Sequence, residues 1–188
     1  MRIIAGEYKG RRISSVKGAD IRYTADRVKK SLFSILRDKV IDARFLDIFA
    51  GSGNVGIESI SRGASEVTFV DANPVCIKAI SQNLAKISLS PNSPGITLLK
   101  MNMSKATAFF NKQNKQFDII FLDPPYRKGL VKESLNHIFK NNILADNGLL
   151  IAEHDVKEDV LESEGNLTLI RQNSYGTKLL SFYSQKNI

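Results

Sequence analysis

Four consecutive residues, Asp123-Pro124-Pro125-Tyr126, join an acid, a rigid backbone and an aromatic ring directly after the apolar run Phe117–Leu122. An exocyclic amine on an aromatic base is a poor nucleophile, because its lone pair is delocalised into the ring. The Asp123 carboxylate and the Pro124 carbonyl can accept the two N–H bonds of such an amine and steer its lone pair towards a methyl donor. Two prolines fix φ and remove backbone donors, which lets local carbonyls point into a cleft. Orientation of this kind can supply several kcal/mol of a barrier. Tyr126 can stack on an extruded base, as enzymes that modify bases commonly require. The bland alternative is a rigid loop with a core tyrosine. Its place after a strand, in a chain with a second ligand motif, favours chemistry.

That second motif is Ala50-Gly51-Ser52-Gly53-Asn54-Val55-Gly56, a G-x-G-x-x-G pattern between the run Phe45–Phe49 and a helical stretch. Glycines permit the sharp turn and a close ligand approach. Asp71, 20 residues past Gly51, can accept both ribose hydroxyls of a nucleoside. Pattern and spacing suit a dinucleotide and S-adenosylmethionine alike, since both carry an adenosine ribose. Asp47, four residues before Gly51, tilts the choice: it would repel a pyrophosphate and attract a sulfonium or ammonium. It could equally serve as a hydrogen-bonded acid that steadies the glycine loop.

Both motifs need strands to present them, and the chain supplies these in alternation with helices. Phe45–Phe49, Val67–Val70, Ile96–Leu99, Phe117–Leu122 and Leu149–Ala152 read as buried strands. Asn54–Arg62, Pro74–Ile87, Met103–Lys112 and Leu130–Phe139 read as helices. In the second of these, Ile77, Ile80, Leu84 and Ile87 recur at helical spacing, and Pro74 suits a first turn. Such alternation implies a parallel sheet covered on both faces. Leu167–Arg171 and Lys178–Tyr183, separated by a Ser-Tyr-Gly turn, are expected to form a hairpin closing one edge. Residues 1–44 break the rhythm, with short strands expected at Arg2–Tyr8 and Arg11–Ser15. A helix then starts at Thr24, with Val28, Leu32, Ile35 and Leu36 as its apolar stripe.

The segments Leu46-Asp47-Ile48-Phe49-Ala50-Gly51-Ser52-Gly53, Ser61-Arg62-Gly63-Ala64 and Phe121-Leu122-Asp123-Pro124-Pro125-Tyr126 resemble the RsmD family. Its members are bacterial enzymes that methylate guanine N2 in small-subunit (16S) ribosomal RNA. Arg2-Ile3-Ile4-Ala5-Gly6, Lys9-Gly10-Arg11-Arg12, Thr24-Ala25-Asp26-Arg27-Val28, Leu32-Phe33 and Tyr175-Gly176 extend the likeness over almost the whole chain. The N-terminal elements are its most specific part; the glycine loop and D-P-P-Y also occur in other nitrogen methyltransferases. Tyr23 stands where the family usually has proline, and Lys30 where a glutamate is common.

The resemblance implies an α/β fold of the class I S-adenosylmethionine-dependent methyltransferases. That fold is Rossmann-like, a seven-stranded, mostly parallel sheet with a small N-terminal hairpin-plus-helix extension. Residues 1–44 would form the RNA-binding extension and 45–188 the methyltransferase domain. Asp123, Pro124, Pro125 and Tyr126 would be catalytic. Asp47, Gly51, Ser52 and Gly53 would line the cofactor loop, Asp71 would hold the ribose, and Asn102 falls where the family contacts adenine. The implied partner is 16S rRNA in an assembled small subunit.

Charge fits such a partner. Residues 1–44 hold twelve Lys/Arg against five acids, net +7, whereas residues 45–188 add only +1 to the whole-chain +8. This asymmetry favours a polyanion-binding attachment over a generic solvated face. Lys9, Arg11, Arg12, Arg22, Arg27 and Lys30 are the candidate phosphate contacts. The single cysteine, Cys76, excludes an internal disulfide, and His137 and His154 lie far apart, so no metal site is expected. Neither a signal peptide nor a membrane span is legible; the lone cysteine fits a reducing cytoplasm, and a size close to that of one domain makes a monomer the expectation. The rival readings are a DNA adenine-N6 methyltransferase, a nucleotide-binding dehydrogenase and a catalytically silent RNA-binding protein.

Overall fold

The structure is a computed structural model that describes residues 1–16, 26–126 and 128–186. Helix α1 (Asp26–Leu36) and a short 3-10 turn (Arg37–Val40) lead into a run of alternating elements. These are β1 (Arg44–Ile48), α2 (Asn54–Ser61), β2 (Glu66–Asp71), α3 (Pro74–Ala85), β3 (Ile96–Lys100), α4 (Met103–Lys112), β4 (Phe117–Leu122) and α5 (Leu130–Lys140). Four strands follow: β5 (Leu144–Asp155), β6 (Ser163–Glu164), β7 (Leu167–Tyr175) and β8 (Lys178–Gln185).

They form one sheet of order β3-β2-β1-β4-β5-β8-β7-β6, parallel from β3 to β5 and antiparallel beyond. This is the doubly wound arrangement of the class I methyltransferases, with eight strands rather than the seven expected. The addition is β6, a two-residue edge strand paired only to β7. Strands β1, β2 and β4 are buried on both faces, which is why they read as unbroken apolar runs rather than alternations. One core lies between the sheet and α1, α2 and α3, around Leu32, Phe33, Phe45, Phe69 and Ile80. The other lies under α4 and α5, around Leu46, Phe110, Ile120 and Leu135.

Several elements differ from the sequence expectation. Strand β5 starts at Leu144 rather than Leu149, with a register shift opposite Phe117/Ile119 that absorbs the Asp146-Asn147-Gly148 interruption. The expected Ser-Tyr-Gly turn is displaced: Ser174 and Tyr175 stay in β7, and the reversal falls on Gly176, at φ 67°, and Thr177.

The two N-terminal strands reduce to a single bridge, Arg2↔Arg12. The reason is where the amides go. Ile4 and Ala5 donate to the Glu58 carboxylate at 2.8 and 3.1 Å, Glu7 to the Ser61 carbonyl at 2.8 Å and Tyr8 to the Ser61 hydroxyl at 3.0 Å. Helix α2 has taken the hydrogen bonds that a longer hairpin would need. Ile3, Ile13 and Val28 then join the same core as the sheet. The expected cap at Thr24 lies outside the described residues, as does Tyr23. The stripe on α1 forms, with Val28, Leu32 and Leu36 buried and Ile35 packed against them.

Candidate functional site

The chain leaves β1 towards β2 and β3 on one side, and returns through β4 to build the other. Open α/β sheets bind ligands outside the carboxyl ends of the strands at such a switch point. The glycine loop and the D-P-P-Y segment both lie there.

After β1 the backbone reverses sharply, with positive φ at Phe49 (62°), Gly51 (56°) and Gly53 (77°). Gly53 is the N-cap of α2 and brings no side chain to satisfy the first helical amides. Asp47 does so from the preceding strand. Its carboxylate is 2% exposed and accepts the Gly56 amide at 2.9 Å. Gly56 has to be a glycine, because a Cβ there would sit 2.3 Å from the Phe69 ring. Burial pushes the Asp47 carboxyl up to about 7; the Gly56 amide opposes that shift and the nearby Asp71 charge adds to it.

Asp71 ends β2 and reaches back to the same loop. One of its oxygens accepts the Gly51 amide at 2.9 Å, the other the Asn73 amide at 2.8 Å. A carboxylate offers about four acceptor positions, so Asp71 keeps capacity for ribose hydroxyls. The buried Cys76 thiol beside it is pushed up to about 12, by burial first and by Asp71 second. Asn102 caps α4 instead of standing clear: its Oδ1 accepts the Lys105 amide at 2.9 Å. An adenine contact would therefore fall to its amide nitrogen or its backbone. Ser52 is buried, and its carbonyl accepts from Asn83 of α3 at 2.9 Å. A loop bare of bulky side chains, an acid with open acceptor positions and a second acid beneath the turn fit an S-adenosyl group.

Asp123 follows β4 directly. The β1–β4 register ends at Ile48↔Leu122, and the Asp123 amide points to the Ile48 carbonyl at 3.5 Å, so this acid abuts the start of the glycine loop. Pro124 is buried, Pro125 exposed and Tyr126 half-buried. The Tyr126 hydroxyl donates to Glu153 Oε1 at 2.9 Å. Lys178 pairs with the same carboxylate, and its ammonium lies 5.6 Å from the Tyr126 ring centre.

A family model described as conserved hypothetical protein 95 matches residues 1–184. The chain is 32% identical over 186 residues to ribosomal RNA small subunit methyltransferase D of Escherichia coli (strain K12), spanning 99% of this chain and 90% of that protein. This chain belongs to the RsmD family. It is also 34% identical over 186 residues to a Bacillus subtilis (strain 168) protein, YlbH, described as a candidate rRNA methyltransferase, spanning 99% of this chain and 100% of that one. The solved structure of the candidate methyltransferase yhhF from Escherichia coli superposes with a TM-score of 0.84 at 31% identity, covering 99% of this chain and 98% of that one.

In this RsmD member the basic candidates Lys9, Arg11, Arg12, Arg27 and Lys30 are all exposed, and Arg22 lies outside the described residues. Lys29, one of the twelve bases of residues 1–44, is instead fully buried. Its ammonium donates to the Arg2 carbonyl at 2.8 Å and to Asn54 Oδ1 at 2.7 Å, and pairs with Glu58 at 3.1 Å. Burial lowers its pKa, and Glu58 works against that. The available signal was its place on the face of Leu32, Phe33 and Leu36, which helical spacing turns inward. Asn83, which no sequence motif marks, ties the Ser14 backbone to the glycine loop. Among the described residues no group of three or more His, Cys, Asp and Glu could hold a metal, and no helix is long and apolar enough to cross a membrane. His154 is buried, bonded to the Ser181 hydroxyl at 2.7 Å.

Proposed function

We propose that this protein transfers a methyl group from S-adenosylmethionine to the exocyclic N2 of a guanine in 16S rRNA. The substrate is the small ribosomal subunit in the cytoplasm, and the enzyme acts as a monomer without metal. The observation that carries this reading is the adjacency of Asp123 to the end of β1, which sets D-P-P-Y against the glycine loop. The relatives' descriptions as small-subunit rRNA methyltransferases support the RNA class. DNA adenine-N6 transfer, a rival at the level of sequence, finds no support among those relatives.

When bound, the cofactor supplies an activated methyl on a sulfonium. The protein's part is binding and alignment. Asp71 takes the ribose hydroxyls, and the Asp47 charge beneath the loop favours a cationic ligand. Asp123 and the Pro124 carbonyl accept the N–H bonds of the guanine amine and turn its lone pair outward. Tyr126 stacks on the extruded base. Orienting a bound nucleophile removes much of the entropic part of a barrier, and no covalent enzyme intermediate is needed. Arg12 and its exposed neighbours on the N-terminal segment hold phosphates.

The test incubates the purified protein with labelled cofactor and either small-subunit particles or duplex DNA, then maps methylated guanine in rRNA by mass spectrometry. Label at one guanine of the particles supports the reading. Label in DNA alone, or at an adenine, ends it.

A further inference from the structure

Glu153 lies on β5, one residue beyond the Leu122↔Ala152 pair, and so neighbours Asp123 across the β4–β5 junction. It is a fully buried acid continuing an apolar run. A buried charge needs partners, and both of those found here reach the same oxygen. Oε1 takes the Tyr126 hydroxyl and Lys178, while Oε2 is buried and has no hydrogen-bond partner among the described residues. The other deeply buried acid of an ion pair, Glu58, is finished differently: its two oxygens are closed by Ile4, Ala5, Lys29 and Arg62. Buried groups left open call for an explanation, and a role at a functional site is one.

We propose that Glu153 is a positioning residue for methyl transfer, acting through the Tyr126 hydroxyl to fix the ring that meets the target base. This rests on the reading of D-P-P-Y under Proposed function. A half-buried tyrosine after two prolines has a stiff backbone but a ring that still turns. One hydrogen bond to a central strand removes that freedom before substrate arrives, and pre-set alignment is what an oriented displacement needs. Lys178 holds the carboxylate from β8 and lies near the ring from a second direction. The antiparallel hairpin thus contributes to the site as well as closing the sheet.

The experiment measures kcat and KM on small-subunit particles that lack the methyl group, with S-adenosylhomocysteine binding followed by calorimetry. Tyr126→Phe keeps the ring and removes the bond. Its kcat should fall about tenfold, the scale of one charge-assisted hydrogen bond, with the cofactor affinity unchanged. Glu153→Ala should fall similarly, Glu153→Gln should recover part of the loss by keeping an acceptor, and Glu153→Ala/Tyr126→Phe should be no slower than Tyr126→Phe. Should Glu153→Ala not fold, Tyr126→Phe and Lys178→Met approach the same link from partly exposed positions. Wild-type kcat in Tyr126→Phe, or losses that multiply in the double variant, would overturn the inference. Wild-type protein that labels no particle would instead overturn the functional reading beneath it.

Discussion

Asp47 on β1 accepts the amide of Gly56, the third residue of α2, at 2.9 Å, and so caps a helix from the strand before it. A carboxylate at a helix N-terminus is favoured by the unsatisfied amides and by the helix dipole. Of the two roles open to this acid in the sequence, loop support is therefore visible in the structure. Attraction to a cationic ligand is compatible with it, because a carboxylate bonded to one amide retains its charge when ionised.

That pairing has a pH signature. The Asp47 carboxyl is raised from 3.8 to about 7 in the folded protein. Between those values the folded state holds a proton that the unfolded chain has released, so stability is highest at the acid end and declines as pH climbs towards 7. A cationic cofactor prefers the ionised form, so its affinity should rise roughly tenfold from about pH 6 to 8. Asp47→Asn keeps an acceptor for Gly56 but should lose this rise. Calorimetric titrations of both proteins at several pH values check it. Their difference isolates Asp47, because the ligand's own amine titrates alike in each. Parallel profiles would refute the electrostatic role.

Asp123→Ala should leave cofactor affinity near wild type while lowering methyl transfer by at least about 100-fold, the loss of an orienting acceptor. Single-turnover transfer of label to small-subunit particles reads the rate. Wild-type transfer in this variant would show that the acid has no part in the chemistry.

Lys29→Met tests the joint between the N-terminal segment and α2. It removes the bonds to Arg2, Asn54 and Glu58 and leaves the buried Glu58 with Arg62 as its remaining ion-pair partner. Breaking a buried pair from one side costs about 3–5 kcal/mol when the remaining charge is left uncompensated, so with Arg62 and two amides still on Glu58 the loss should be smaller. The urea midpoint should move down accordingly, and the segment before α1 should become the first site of proteolysis. An unshifted midpoint would mean that the pair carries no net stability.

The exposed bases of the N-terminal segment predict a salt effect. Neutralising Lys9, Arg11 and Arg12 together should weaken RNA binding and flatten the plot of log affinity against log salt by about 0.7–0.9 per lost phosphate contact. Lys29, being internal, should contribute nothing to that slope. Filter binding across a salt series measures it, and an unchanged slope would leave these residues as a solvated face.

The sequence by itself determined the alternation of elements, because strands buried on both faces must be apolar throughout and helices between them must repeat near 3.6 residues. It also placed the glycine loop, Asp71 and D-P-P-Y at strand ends, since their offsets are local and within reach of a pattern. The fates of the polar residues were decided only in three dimensions. Nothing near Lys29 in the chain says that its charge will be met by Glu58, and nothing near Ile4 says that its amide will bond α2 rather than a sister strand. Glu153, Tyr126 and Lys178 are likewise brought together only by the pairing of β5 with β4 and β8. A hydrogen bond acts over about 3 Å, so its partner across the sequence is chosen by how the sheet orders its strands.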